Sequence, residues 1–184
     1  KMLNMTHDAK KRIEEHAKYY VRNESFSEAL DMLKQNNICL IAGLPGIGKS
    51  MLAEMLLLDF IRRGYEVIKI DNDISDAYEI AHHNQKRVYY YDDFLGQTTL
   101  SQKLKKNEDQ GLLDFIEITR KSKVSKLILT TREYILNQAR ESYEKISRAN
   151  FKPETYTIDL SKYTREIRAK ILYNHIYFSD LNND

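Results

Sequence analysis

Cysteine is nearly absent from this 184-residue sequence: Cys39 stands alone, so no disulfide can close within it. A single thiol inside the apolar run ICLIA reads as an inert core group and fits a reducing compartment. Long hydrophobic runs are missing too. No stretch reaches the roughly 18 apolar residues of a membrane span, and no signal-peptide pattern opens the chain. Nor is there an excess of one charge: 29 Lys plus Arg against 27 Asp plus Glu leave +2. That is too little to drive the chain onto nucleic acid or an anionic membrane. Repeats and low-complexity segments are also lacking. What remains, 42% hydrophobic and 30% charged residues, describes a globular, soluble, cytosolic protein of one domain, or one and part of a second. The chain opens on Lys1 and its last helical pattern runs into FSDLNND, so the expectation is a piece of a longer protein.

Helical and apolar segments alternate along the chain. MTHDAKKRIEEHAKYY (about 5–20) has the pattern of a polar helix, and Ser25 to Glu28 has that of a capping box opening a helix to about Leu33. Five strands are expected at 38–42, 65–70, 87–92, 125–130 and 155–160. Helices are expected at 49–63, about 74–83, about 111–121, 132–147 and 161–178, and 101–110 is expected as a solvated charged loop. Unbroken apolar strands rich in Ile, Val and Tyr suit a sheet covered on both faces. The expected fold is therefore a three-layer α/β/α sandwich on a five-stranded parallel sheet.

Glycine is scarce, six in all, yet three fall within GLPGIGKS, residues 43–50. The stretch follows an apolar strand and opens a helix, the setting in which G-x-x-x-x-G-K-[ST] cradles phosphates. Gly43, Gly46 and Gly48 let consecutive amides turn inward as an anion nest, and the helix start adds free N–H groups. Lys49 can reach the β- and γ-phosphates, and the Ser50 hydroxyl can ligate Mg²⁺. Pro45, Ile47 and Met51 complete the segment expected to touch the nucleotide.

Two further strand ends carry polar groups. VYYYDDFLG ends in Asp92, placed for the Mg²⁺, and Asp93, placed to orient or deprotonate water. The interval from Lys49 to Asp92 holds a helix, a strand and a connection, which places a strand between the loop strand and the aspartate strand. KLILTTREYIL ends in Thr130, Thr131 and Arg132, where a cation can stabilise charge on a transferring phosphoryl group. No N-K-x-D or T-K-x-D stretch follows, so adenine is the expected base.

With these residues assembled, the chain resembles the STAND-class NTPases related to the AAA+ group, and more closely the prokaryotic novel STAND NTPases, third group. The resemblance runs from YVRNESFSEAL through GLPGIGKS, YYYDDFLGQ and LILTTREYIL to AKILYNHIYFS. It implies a switch that rests closed on ADP, exchanges it for ATP and self-associates when a sensor region meets its trigger. Such proteins serve antiviral defence, with effector and sensor domains on either side of the NTPase. Carried over, Lys49 and Ser50 would hold phosphate and Mg²⁺, Asp92 the metal and Asp93 the water. Arg132 would sense phosphate, and Val21 and Arg22 would line the adenine. Many AAA+ relatives carry Glu where Asp93 stands, and no G-x-P stretch follows residue 160. The implied layout is an N-terminal segment and linker over 1–24, an NTPase core over 25–160 and the start of a helical lid over 161–184.

The bland readings fall elsewhere. His82 and His83 are adjacent, and adjacent residues do not face one ligand on a helix. His16 and the run RKSKVSK (120–126) are expected in solvent, and His175 in packing or a hydrogen bond. Three rival functions stay open on the sequence: a phosphotransferase with its lid in 97–110, a DNA-dependent ATPase, and a nucleotide holder that never turns over.

Overall fold

A computed structural model of the chain describes residues 2–4, 7–70, 77, 85–94, 106–132, 153–160 and 163–179. Among them, helix α1 (His7–His16) and a short 3-10 turn (Ala17–Tyr19) lead into α2 (Glu24–Asn36), strand β2 (Ile38–Gly43) and α3 (Lys49–Arg62). Strands β3 (Glu66–Ile70) and β4 (Arg87–Tyr91), helix α4 (Lys106–Lys121) and strand β5 (Lys126–Arg132) follow. The short strand β6 (Thr157–Asp159) and helix α5 (Arg165–Tyr177) complete the described chain, and β1 (Met2–Asn4) precedes α1. The six strands form one sheet in the order β1-β3-β4-β5-β2-β6. All neighbours are parallel except β1, which pairs antiparallel with β3.

The five parallel strands are those expected, and the sheet is covered on both faces. Period-2 alternation divides each strand between two cores. Cys39, Ile41, Val88, Tyr90 and Ile128 face α1, α2 and α3. Ile38, Leu40, Tyr89, Leu127 and Leu129 face α4, where Phe115 meets the Tyr89 ring edge-on at 5.0 Å. Cys39 is fully buried, and burial pushes its thiol pKa up, as suits an inert core group.

The strand expected between β2 and β4 is present: it is β5, from later in the chain, while 66–70 lies on the far side of β4. Several local expectations need correcting. The antiparallel edge strand β1 carries no alternation long enough to read. The cap of α2 is Asn23, whose side chain accepts from the Ser25 amide at 3.0 Å, so Ser25 lies inside the helix and the capping box does not form. Asparagine caps at least as well as serine, and it stands earlier. Helix α4 starts at Lys106, so the backbone of 106–110 is helical. The helices expected at 74–83 (Ala77 apart) and 132–147, and with them His82 and His83, lie outside the described residues.

The run 120–126 is not all solvent. Arg120 and Lys121 pair with Glu117 at 2.8 and 3.0 Å, but Lys126 is buried. Its ammonium donates to Leu33 O at 2.9 Å and Asn37 Oδ1 at 2.6 Å. Asn37 ends α2 in the left-handed region (φ 65°), and its amide donates to Arg120 O and Ser122 O. One asparagine thus ties the carboxyl ends of α2 and α4 to a buried cation. Asn37→Ala is expected to cost about 2–3 kcal/mol, from lost hydrogen bonds and a strained backbone. Urea unfolding measures this, and a change below roughly 0.5 kcal/mol, the size of an ordinary surface substitution, would show that the network adds nothing.

Candidate nucleotide site

The carboxyl ends of β2, β5 and β4 lie side by side, where parallel α/β sheets bind ligands. Gly43 ends β2 in register with Arg132 at the end of β5. Gly43 is required by crowding: a Cβ there would lie 2.9 Å from Ile47 Cγ2 and 3.3 Å from Leu160 Cβ. Gly46 and Gly48 are required by conformation, with φ of 74° and 101° and open space around the position of a Cβ. Leu44 and Pro45 form the exposed loop tip. Gly48 caps α3 with no side-chain bond and no acidic residue follows in the first turn, so the loop presents a helix N-terminus with its positive dipole end uncompensated.

Lys49 folds back over this loop, donating to Gly43 O at 3.2 Å and Leu44 O at 2.9 Å. Burial pushes its pKa below the ordinary value; Asp93 opposes this, Arg132 adds to it and Asp92 opposes it more weakly. Lys49, Asp92, Asp93 and Arg132 therefore share one electrostatic neighbourhood. The Ser50 hydroxyl donates to Asp92 Oδ1 at 3.3 Å. Thr130, buried on β5, donates to the same oxygen at 2.5 Å and accepts from the Asp93 amide at 2.8 Å. Asp93 itself sits in the left-handed region (φ 47°), and its Oδ1 is buried without a hydrogen-bond partner among the described residues, as is Thr131 Oγ1. A strained residue with an unsatisfied carboxylate oxygen marks a functional site more often than a structural one. Ser50 Oγ and Asp92 Oδ1 supply the hard oxygen donors that Mg²⁺ takes, alongside substrate oxygens and water. No cluster of three or more His, Cys, Asp or Glu that could hold a metal unaided occurs among the described residues.

Beside the loop lies a cavity of about 160 Å³, mostly apolar, walled by Val21, Ile47, Met51, Tyr163 and Ile171, with Tyr19 and His175 at one side. Val21 is thus at the cavity. Arg22 is directed elsewhere, its guanidinium 4.8 Å from the Phe26 ring centroid, and is not part of the wall. His175 packs by stacking on Tyr19, with ring centroids 5.1 Å apart and planes 8° from parallel. His16, expected in solvent, pairs with Glu54 at 3.3 Å.

Two groups escaped the sequence reading. Tyr90 is buried near Asp92 and Ser50; burial above all, then the Asp92 charge, pushes its phenol pKa up. Its signal was available, since residues 90 and 92 share a strand face. Thr130 was noticed only as a polar strand end, and its joint hold on Asp92 and Asp93 depends on the β4–β5 pairing.

Solved structures share this architecture. Saccharomyces cerevisiae Hsp104 in its casein complex matches at TM-score 0.62 and 15% identity, over 95% of this chain and 32% of that one. Caenorhabditis elegans PCH-2 matches at 0.56 and 14%, over 96% and 53%. A chain of the Escherichia coli MS115-1 HORMA:CdnC:Trip13 complex matches at 0.62 and 12%, over 100% and 76%. This chain thus spans about a third of the first and half of the second. The chain shares the fold of these AAA+ structures, and a family match places it among the nucleotide-binding NTPases. The model of the novel STAND NTPase 3 family matches residues 20–178, and the chain belongs to that family. No curated protein matches it. No described helix is long and apolar enough to cross a membrane.

Proposed function

We propose that the chain is the ATP-hydrolysing domain of a cytosolic STAND-type signalling switch, Mg²⁺-dependent and slow. The observation that carries this is the convergence of the glycine loop, Lys49, Asp92, Asp93 and Arg132 at three adjacent strand ends. The loop amides and the α3 N-terminus receive the phosphates, and Lys49 leaves Gly43 O and Leu44 O for the β- and γ-oxygens. Ser50 and Asp92 would hold Mg²⁺, which neutralises phosphate charge when bound. Asp93 orients water and takes its proton as the water oxygen bonds to the γ-phosphorus and the β–γ bridging bond breaks. Arg132 stabilises charge on the transferring group.

The base enters the apolar cavity beside Val21. Because that cavity is walled both by the N-terminal segment and by Ile171 and His175 of α5, its occupant contacts both. This supports reading α5 as the start of a lid, and nucleotide state as the control of lid position and self-association. A role in prokaryotic antiviral defence, with effector and sensor domains elsewhere in a longer protein, follows from the family resemblance.

Incubating the chain with Mg·ATP and no acceptor is expected to release ADP and free phosphate in equal amounts, at well below the roughly 10 s⁻¹ of a median enzyme. Transfer to an added small molecule, or turnover that appears only with DNA, would overturn the reading.

A further inference from the structure

The cavity beside the loop is apolar, and nearly every side-chain polar group on its wall is already engaged within the protein. Asn23 is used at both ends, accepting from the Ser25 amide and donating to Val21 O at 3.2 Å. Burial pushes the Tyr163 phenol pKa up, and the nearby Asn23 and Ser25 side chains oppose this, so its hydroxyl faces them. Tyr19 donates its hydroxyl to Phe178 O at 3.4 Å. The Tyr20 hydroxyl has no partner among the described residues but also no accessible surface, so it lies behind the wall. His175 differs. Its side chain is exposed, it is held flat by the stack on Tyr19, and among the described residues neither ring nitrogen has a hydrogen-bond partner.

We propose that His175 is the residue by which this pocket tells one nucleobase from another. The proposal rests on the reading that the cavity takes the base of a nucleoside triphosphate. Apolar walls bind any purine by contact, since every base has an apolar face. Discrimination needs a hydrogen-bonding group facing the base edge, because adenine and guanine differ in where they carry donors and acceptors. One imidazole nitrogen can meet the base edge, as donor or acceptor, and the purine that places a complementary group opposite it is preferred. The Tyr19 stack limits the ring's freedom, so little rotamer entropy is lost when the edge is met. His175 touches the base and not the reacting phosphate. It should alter which triphosphate binds and leave phosphate chemistry unaffected.

The test compares ATP and GTP affinities, each with Mg²⁺, by calorimetry on the 184-residue chain. The unaltered chain is expected to prefer ATP. In His175→Phe, which keeps a ring on Tyr19 and removes both nitrogens, ATP affinity should fall about three- to tenfold, the size of one hydrogen bond. GTP affinity should stay within about twofold, less than one hydrogen bond. His175→Ala, which also loses the stack, should weaken both. An unchanged ATP-to-GTP ratio in His175→Phe, or an equal fall for both, would overturn the proposal. Failure of the unaltered chain to bind either triphosphate would instead defeat the nucleotide reading beneath it. The exposed position lets both variants fold, and unchanged thermal unfolding midpoints check this.

Discussion

Lys49→Ala is expected to lower Mg·ATP affinity by about 100-fold or more, beyond ready detection by calorimetry, because two charge-assisted hydrogen bonds to phosphate are lost together. The position offers no substitute. Arg132 and Lys49 act on each other electrostatically, but Arg132 ends β5 one strand away and Lys49 opens α3 directly behind the loop. The ammonium also anchors the loop through Gly43 O and Leu44 O, so the variant must be shown to keep its fold, for example by its circular dichroism and unfolding midpoint. Unchanged affinity in a folded variant would place the nucleotide elsewhere or remove it altogether.

Asp93→Asn separates binding from chemistry. Asparagine tolerates the left-handed backbone that Asp93 adopts, and the Asp93 amide bond to Thr130 Oγ1 is made by the main chain, so the turn survives the change. The substitution removes a base and one negative charge near Lys49. ATP affinity should change by no more than about threefold, since the charge facing Lys49 is partly screened, while the rate of phosphate release should fall about 100-fold or more. Single-turnover assays distinguish this from slowed product release. Full activity would assign the water to another group.

The phosphate loop was legible in the chain because its constraints are local. Positive φ at Gly46 and Gly48 is met at least cost by a residue without a side chain, and the lysine and serine that follow are set by one turn of helix. The central parallel strands were legible for a related reason: where a strand is buried on both faces its residues are apolar in succession, as 38–42, 88–90 and 127–129 are. The cap of α2 was misplaced by two residues because Asn23 and Ser25 offer the same kind of oxygen, and only backbone geometry chooses between them.

The tertiary structure alone decided the rest. Sequence placed a strand between β2 and β4, and only the fold shows that it is β5, with β3 beyond β4. That arrangement sets Thr130 against Asp92 and Asp93, and the packing of α3 against the sheet brings Tyr90 near Ser50 and Glu54. It likewise took the return of α5 to the 3-10 turn to set His175 on Tyr19, residues separated by most of the chain. Conformational demands on a few consecutive residues are written into those residues. Contacts across a sheet depend on which surfaces find cover, and that is a property of the whole chain.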